Sequence, residues 1–192
     1  MPPLWGGYVF PLQLLDMERI FLIGFMCSGK TTLGRLLAER AGCGFVDLDE
    51  YIVEQQGKSV NAIFDECGEA GFREIERRAL HEMAESEGRA IIAAGGGTPC
   101  FFDNMEYINS RGKSVYLYST QEELLRRVEK YSSSRPLLKG KSRDELREYI
   151  AVTLGRREKF YNMATLRFDV GALMNSDDVQ DALERLCLLL CI

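Results

Sequence analysis

Apolar residues recur along this chain in two patterns that alternate. The runs Arg19-Ile20-Phe21-Leu22-Ile23, Ala90-Ile91-Ile92-Ala93-Ala94 and Ser114-Val115-Tyr116-Leu117-Tyr118 are short and nearly continuous. That is the composition of strands buried on both faces of a parallel sheet. Two further strands are expected at 44–49 and 165–170. Between them the apolar positions fall three and four apart. Leu33, Leu36 and Leu37 follow the first strand, and Phe72, Ile75, Ala79 and Met83 form one stripe later on. This spacing predicts amphipathic helices. They are expected at 32–40, at 50–56 ending at Gly57, from 60 to a break at Gly68, at 69–83, near 101–110, at 120–130 with Thr120 as N-cap, at 144–160 and at 177–190. Strand and helix alternate throughout, with no internal repeat. The expected fold is α/β, a parallel sheet with helices on both faces.

Gly24-Phe25-Met26-Cys27-Ser28-Gly29-Lys30-Thr31 joins the first strand to the first helix. It matches G-x-x-x-x-G-K-[ST] in the strand-to-helix setting that a phosphate-binding loop requires. The glycines let the backbone curl so that N–H groups converge on phosphate oxygens. The helix start adds its positive dipole end. Lys30 is expected to reach the terminal phosphates and Thr31 to offer a hydroxyl to Mg²⁺.

Further along, Asp47 and Asp49 alternate with apolar neighbours. Read as strand residues, they point the same way at the sheet's C-terminal edge, where ligands bind in open α/β sheets. Gly95-Gly96-Gly97 ends another strand, and three glycines there imply close approach of the backbone to something. Arg73 lies off the apolar stripe near a helix start, where a cation opposes the dipole. That leaves two readings open, a ligand-binding arginine and a solvated one. His81 reads as a surface histidine. Residues 131–142 are polar, basic and rich in Ser and Gly, a loop expected to move over the site.

The chain has 192 residues, 46% of them hydrophobic, and a net charge of −5. One domain with a full core is expected, and bulk affinity for nucleic acid or an anionic membrane is not. Cysteines stand at 27, 43, 67, 100, 187 and 191 without a C-x-x-C pair, and there is one histidine. Reduced thiols in a cytoplasmic enzyme are expected rather than a zinc site. Cys187 and Cys191 are read as packing residues of the last helix. Cys27, at a helix N-terminus beside Lys30, is expected to react with thiol reagents. Residues 1–16 carry three of the five prolines and no basic residue. They read as a leader outside the fold, with a single domain over 17–192.

The loop at 24–31, Asp47-Leu48-Asp49, Gly71-Phe72-Arg73-Glu74, Gly95–Gly97, Arg135-Pro136-Leu137-Leu138, and Arg157 with Tyr161 together resemble the shikimate kinases. The resemblance covers nearly the whole domain. It implies a nucleoside-monophosphate-kinase-like fold, three layers deep, with five parallel strands in the order 2-3-1-4-5 and a lid. It implies a monomer that transfers the ATP γ-phosphate to the 3-hydroxyl of shikimate, on the route to chorismate and the aromatic amino acids. By position it places Cys27, Ser28, Gly29, Lys30, Thr31, Thr32, Arg127 and Arg135 at the nucleotide. Thr31 and Asp47 fall at Mg²⁺, Asp47 through water. Asp49, Arg73, Gly95, Gly96, Gly97 and Arg157 fall at shikimate, with Lys30, Asp49 and Arg135 catalytic. Two positions depart from the family pattern. No proline follows Arg157, where Arg156 is the neighbouring candidate and the four-residue step to Tyr161 favours Arg157. Cys27 stands where a small residue is usual. The alternatives are another small-molecule kinase of this fold, such as a gluconate kinase, or a non-catalytic nucleotide-binding module.

Overall fold

The computed structural model describes residues 19–131 and 140–192. The expected leader, the start of the domain at Met17 and most of the 131–142 loop, Arg135 included, lie outside the described residues.

Strand β1 (Arg19–Ile23) is the centre of the sheet and is buried at every position. Strand β3 (Ala90–Ala93) pairs with one edge of it and β4 (Lys113–Tyr118) with the other, while β2 (Gly44–Asp47) and β5 (Leu166–Asp169) lie outside these. All pairings are parallel and the order is 2-3-1-4-5, as the resemblance implied. Side chains alternate across β1. Phe21 and Ile23 pack with α2 (Leu48–Gln56), α3 (Val60–Glu85), α4 (Asn104–Arg111), α5 (Gln121–Tyr131) and α6 (Arg143–Tyr161). Ile20 and Leu22 pack on the other side with α1 (Lys30–Ala41) and α7 (Ser176–Leu190). Leu33, Leu37 and Leu186 are fully buried there, where truncation to Ala typically costs about 2–5 kcal/mol. Leu22 pairs in register with both Ala93 and Val115. The C-terminal ends of the inner strands therefore lie level, and the loops that leave them share one edge.

Four local expectations need correction. The second strand stops at Asp47, so Asp49 is not a strand residue. The Asp47 carboxylate accepts from the backbone N–H of Asp49 (3.1 Å) and Glu50 (3.4 Å). It thereby N-caps α2 and turns the chain into a helix two residues earlier than the alternation suggested. The helices expected on either side of Gly68 run as one, interrupted at Gly68 alone (φ 68°, ψ −178°), a conformation essentially open only to glycine. His81 is half-buried, because its ring stacks on Tyr107 of α4 with centroids 3.7 Å apart. Cys187 packs in the core, but Cys191 is exposed beyond the end of α7, where it adopts the left-handed cap conformation (φ 57°). The helix expected near 101–110 forms as α4, preceded by a 3₁₀ turn at Thr98–Cys100. The cap on α5 forms as expected. Thr120 and Glu123 exchange hydrogen bonds, Glu123 N–H to Thr120 Oγ1 at 3.3 Å and Thr120 N–H to the Glu123 carboxylate at 2.8 Å.

Candidate active site

One side of the site is built around the 24–31 loop. Gly29 precedes α1 in the left-handed region (φ 98°), and no side chain caps the helix. The first N–H groups of α1 are thus left to meet an anion. Lys30 Nζ donates to the carbonyls of Gly24 (2.9 Å) and Phe25 (2.8 Å), which holds the ammonium back over its own loop. Thr31 Oγ1 donates to Asp47 Oδ2 at 2.6 Å. Asp47 therefore does two things, capping α2 with one oxygen and orienting Thr31 with the other. Ser28 is buried with an unpaired hydroxyl among the described residues, and Thr32 is exposed on the first turn.

Arg127 projects from α5 and is 2% exposed. Its Nε donates to the Glu123 carbonyl at 3.3 Å, while Nη1 and Nη2 have no partner among the described residues. Burial pulls its pKa down, and the Glu123 charge opposes that. A buried guanidinium left unmatched is costly. Arg127 lines a cavity of about 350 Å³ together with Cys27, Gly29, Lys30, Thr31, Thr32, Asp47, Asp49 and Gly96. A ligand in that cavity would supply what the protein does not.

The other side is organised by Gly95, Gly96 and Gly97, and each makes room for a different charged group. A Cβ on Gly95 would stand 2.7 Å from Glu76 Oε1 and 2.9 Å from Asp49 Oδ1. On Gly96 it would meet Arg157 Nη1 at 3.3 Å, and on Gly97 both terminal nitrogens of Arg73 at 2.8 Å. None of the three has positive φ. They are glycine for space, not for backbone freedom. Gly96 also accepts from the Tyr161 hydroxyl at 2.5 Å. Tyr161 is fully buried, and burial pushes its pKa up, so it stays a donor. Arg156 is exposed and Arg157 reaches the glycines, so the structure places Arg157 at the site.

Arg73 is 8% exposed and far from a solvated surface arginine. Its Nη1 donates to Glu76 Oε2 at 2.8 Å, its Nη2 to Glu69 Oε1 at 3.3 Å, and its guanidinium carbon lies 4.1 Å from the centre of the Phe101 ring. Glu76 is 1% exposed and also accepts from Thr98 Oγ1 at 2.6 Å. Sequence reasoning missed Glu76 and Thr98. A signal for Glu76 was present: it follows Phe72 by four residues and Arg73 by three, which puts a carboxylate on the inward face of α3. The site thus collects Lys30, Thr31, Asp47, Asp49, Arg73, Arg127 and Arg157 around one sheet edge; Arg135 lies outside the described residues.

The family model described as Shikimate kinase matches residues 26–187. A shikimate kinase of Parabacteroides distasonis is 50% identical over 165 residues, 86% of this chain and 95% of that protein. The crystal structure of shikimate kinase from Bacteroides thetaiotaomicron superposes with a TM-score of 0.87 at 45% identity, covering 92% of this chain and 100% of that one. Shikimate kinase from Acinetobacter baumannii, solved in complex with shikimate, gives 0.78 at 32% identity, covering 92% and 94%. On sequence, fold and family model alike, this chain belongs to the shikimate kinase family.

Proposed function

We propose that the protein transfers the γ-phosphate of ATP to the 3-hydroxyl of shikimate, with Mg²⁺. The observation that carries this reading is the glycine segment. It seats two guanidinium groups and a carboxylate beside a phosphate-binding loop, which suits an acceptor that is both anionic and polyhydroxylated. Arginine grips a carboxylate in bidentate fashion, and Arg73 and Arg157 are assigned that task. Asp49 accepts hydrogen bonds from the acceptor's hydroxyls and orients the one that attacks.

Phosphoryl transfer asks for positioning and charge neutralisation more than for covalent chemistry. Lys30 is already held over the loop by two carbonyls, so little reorganisation is needed when phosphates arrive. Arg127 offers its unmatched nitrogens on the nucleotide side of the cavity. Thr31, and Asp47 through water, would hold Mg²⁺, which neutralises charge on the phosphates. Arg135 is assigned to the transferred phosphoryl group on sequence alone. The leader 1–16, the monomeric state and the cytoplasmic location remain readings of the sequence. No helix among the described residues is long and apolar enough to cross a membrane.

The test is ADP release from MgATP with shikimate, with gluconate and with no acceptor. Release that depends on shikimate alone is expected. ATP binding without shikimate-dependent release would leave the phosphate loop standing and move Asp49, Arg73 and Arg157 onto another acid.

A further inference from the structure

Arg73 has two carboxylate partners of very different standing. Glu76 is buried, is shared with Thr98 and takes Nη1. Glu69 is on the outside, with 62% of its side chain exposed, and takes Nη2 at 3.3 Å. It has no other polar partner among the described residues. Arg73 Nε is buried and has none at all among them. The nitrogens Nε and Nη2 form the side-on edge of a guanidinium, and that edge is one on which a carboxylate can seat both oxygens at once. Glu69 occupies half of it with one oxygen and leaves the other half unmet. A single buried N–H without a partner is a standing cost. It is removed by a ligand carboxylate that bridges both nitrogens, and that ligand must first displace Glu69.

We propose that Glu69 is a displaceable stand-in for the acceptor's carboxylate, competing with it for the side-on edge of Arg73 and so setting the acceptor's KM. This rests on the shikimate reading of the site. Glu69 is well placed to come and go. It is the first residue after the break at Gly68, on the first turn of the second part of α3. It lines an open depression with Gly71, Phe101 and Phe102, which gives the released side chain a place to lie. Glu76 cannot play this part. It is walled in, and its departure would strand a buried arginine. The two glutamates divide the work, Glu76 positioning Arg73 and Glu69 guarding it.

The experiment compares Glu69→Gln with wild type in steady-state ADP release, using shikimate and its analogue in which the carboxylate is reduced to a primary alcohol. Ion pairs as exposed as this one are worth a factor of about two to five in an equilibrium constant. The shikimate KM should therefore fall by about that factor in the variant. The kcat and the ATP KM should stay as in wild type, and the KM for the alcohol should not move. Glu69→Ala, at the same exposed position, should give the same fall and serves if the glutamine variant melts early. A shikimate KM that is unchanged or raised overturns the proposal, because Glu69 would then be idle or a support for Arg73. An equal gain with the alcohol overturns it too, because the competition would not concern a carboxylate. Absence of shikimate-dependent release in wild type would instead overturn the functional reading.

Discussion

The two sides of the site are held together differently. On the phosphate side, Lys30 is held by carbonyls five and six residues away in the chain. Both bonds are made within the loop, to its own backbone. On the acceptor side the contacts span far more chain. Thr98 reaches Glu76 across 22 positions and Tyr161 reaches Gly96 across 65. There Arg73 already faces two carboxylates and is matched on two of its three nitrogens before any ligand arrives. The contrast teaches where generality and identity reside. A local loop that positions its cation with its own backbone serves any phosphate donor. A long-range network, partly neutralised in advance, is tuned to one acceptor, because only a ligand that improves on its internal carboxylates will displace them.

Two substitutions test this division. Lys30→Ala should have the largest effect. Removing one preorganised group that stabilises developing charge typically lowers kcat about 10²- to 10³-fold. The loss should appear with every acceptor that supports ADP release, and ATP should bind more weakly. Normal turnover in this variant would break the comparison at its first term. Arg73→Ala should come next and act on the other side. Charge-assisted hydrogen bonds are worth about 1.5–3 kcal/mol each, so the shikimate KM should rise roughly 10- to 100-fold. The ATP KM should hardly respond. A shikimate KM equal to that of wild type would remove Arg73 from the site, and parallel rises for both substrates would show that the sides are not separable.

The same contrast explains what could be read without a structure. The phosphate side was legible because it is contiguous: strand, loop and helix are neighbours in sequence, and the spacing of Gly24, Gly29, Lys30 and Thr31 carries its own geometry. The parallel sheet followed from the buried runs, but its order came only with the resemblance, since strand order is a property of long-range pairing. On the acceptor side the sequence could flag glycines and an ambiguous arginine. It could not show that each glycine clears space for a different charge, because Glu76, Asp49, Arg157 and Arg73 lie on three helices. Asp49 was misread for a local reason. The alternation with Asp47 looked like a strand, and the capping role of Asp47, which decides the matter, is equally well written in those residues.

The smallest expected effect concerns Cys27, and it sharpens the boundary between the two sides. Cys27 is half-buried in the phosphate loop with positive φ (60°) and lines the cavity beside Lys30 and Thr31. Cys100 lies on the acceptor side. Burial pushes its pKa up to about 11 against the opposing charges of Arg157 and Arg73, so it stays a protonated thiol and a poor nucleophile. Burial also raises Cys43 and Cys187, and Cys67 and Cys191 are exposed but line no part of this cavity. Iodoacetamide should therefore inactivate the protein through Cys27, since a carbamidomethyl group there fills space that the phosphates need. MgATP should slow the inactivation and shikimate alone should not. Cys27→Ala should resist the reagent. If that variant is as sensitive as wild type, the reactive thiol lies elsewhere. Protection by shikimate in place of MgATP would point to Cys100, and the boundary drawn between the two sides of the cavity would have to move.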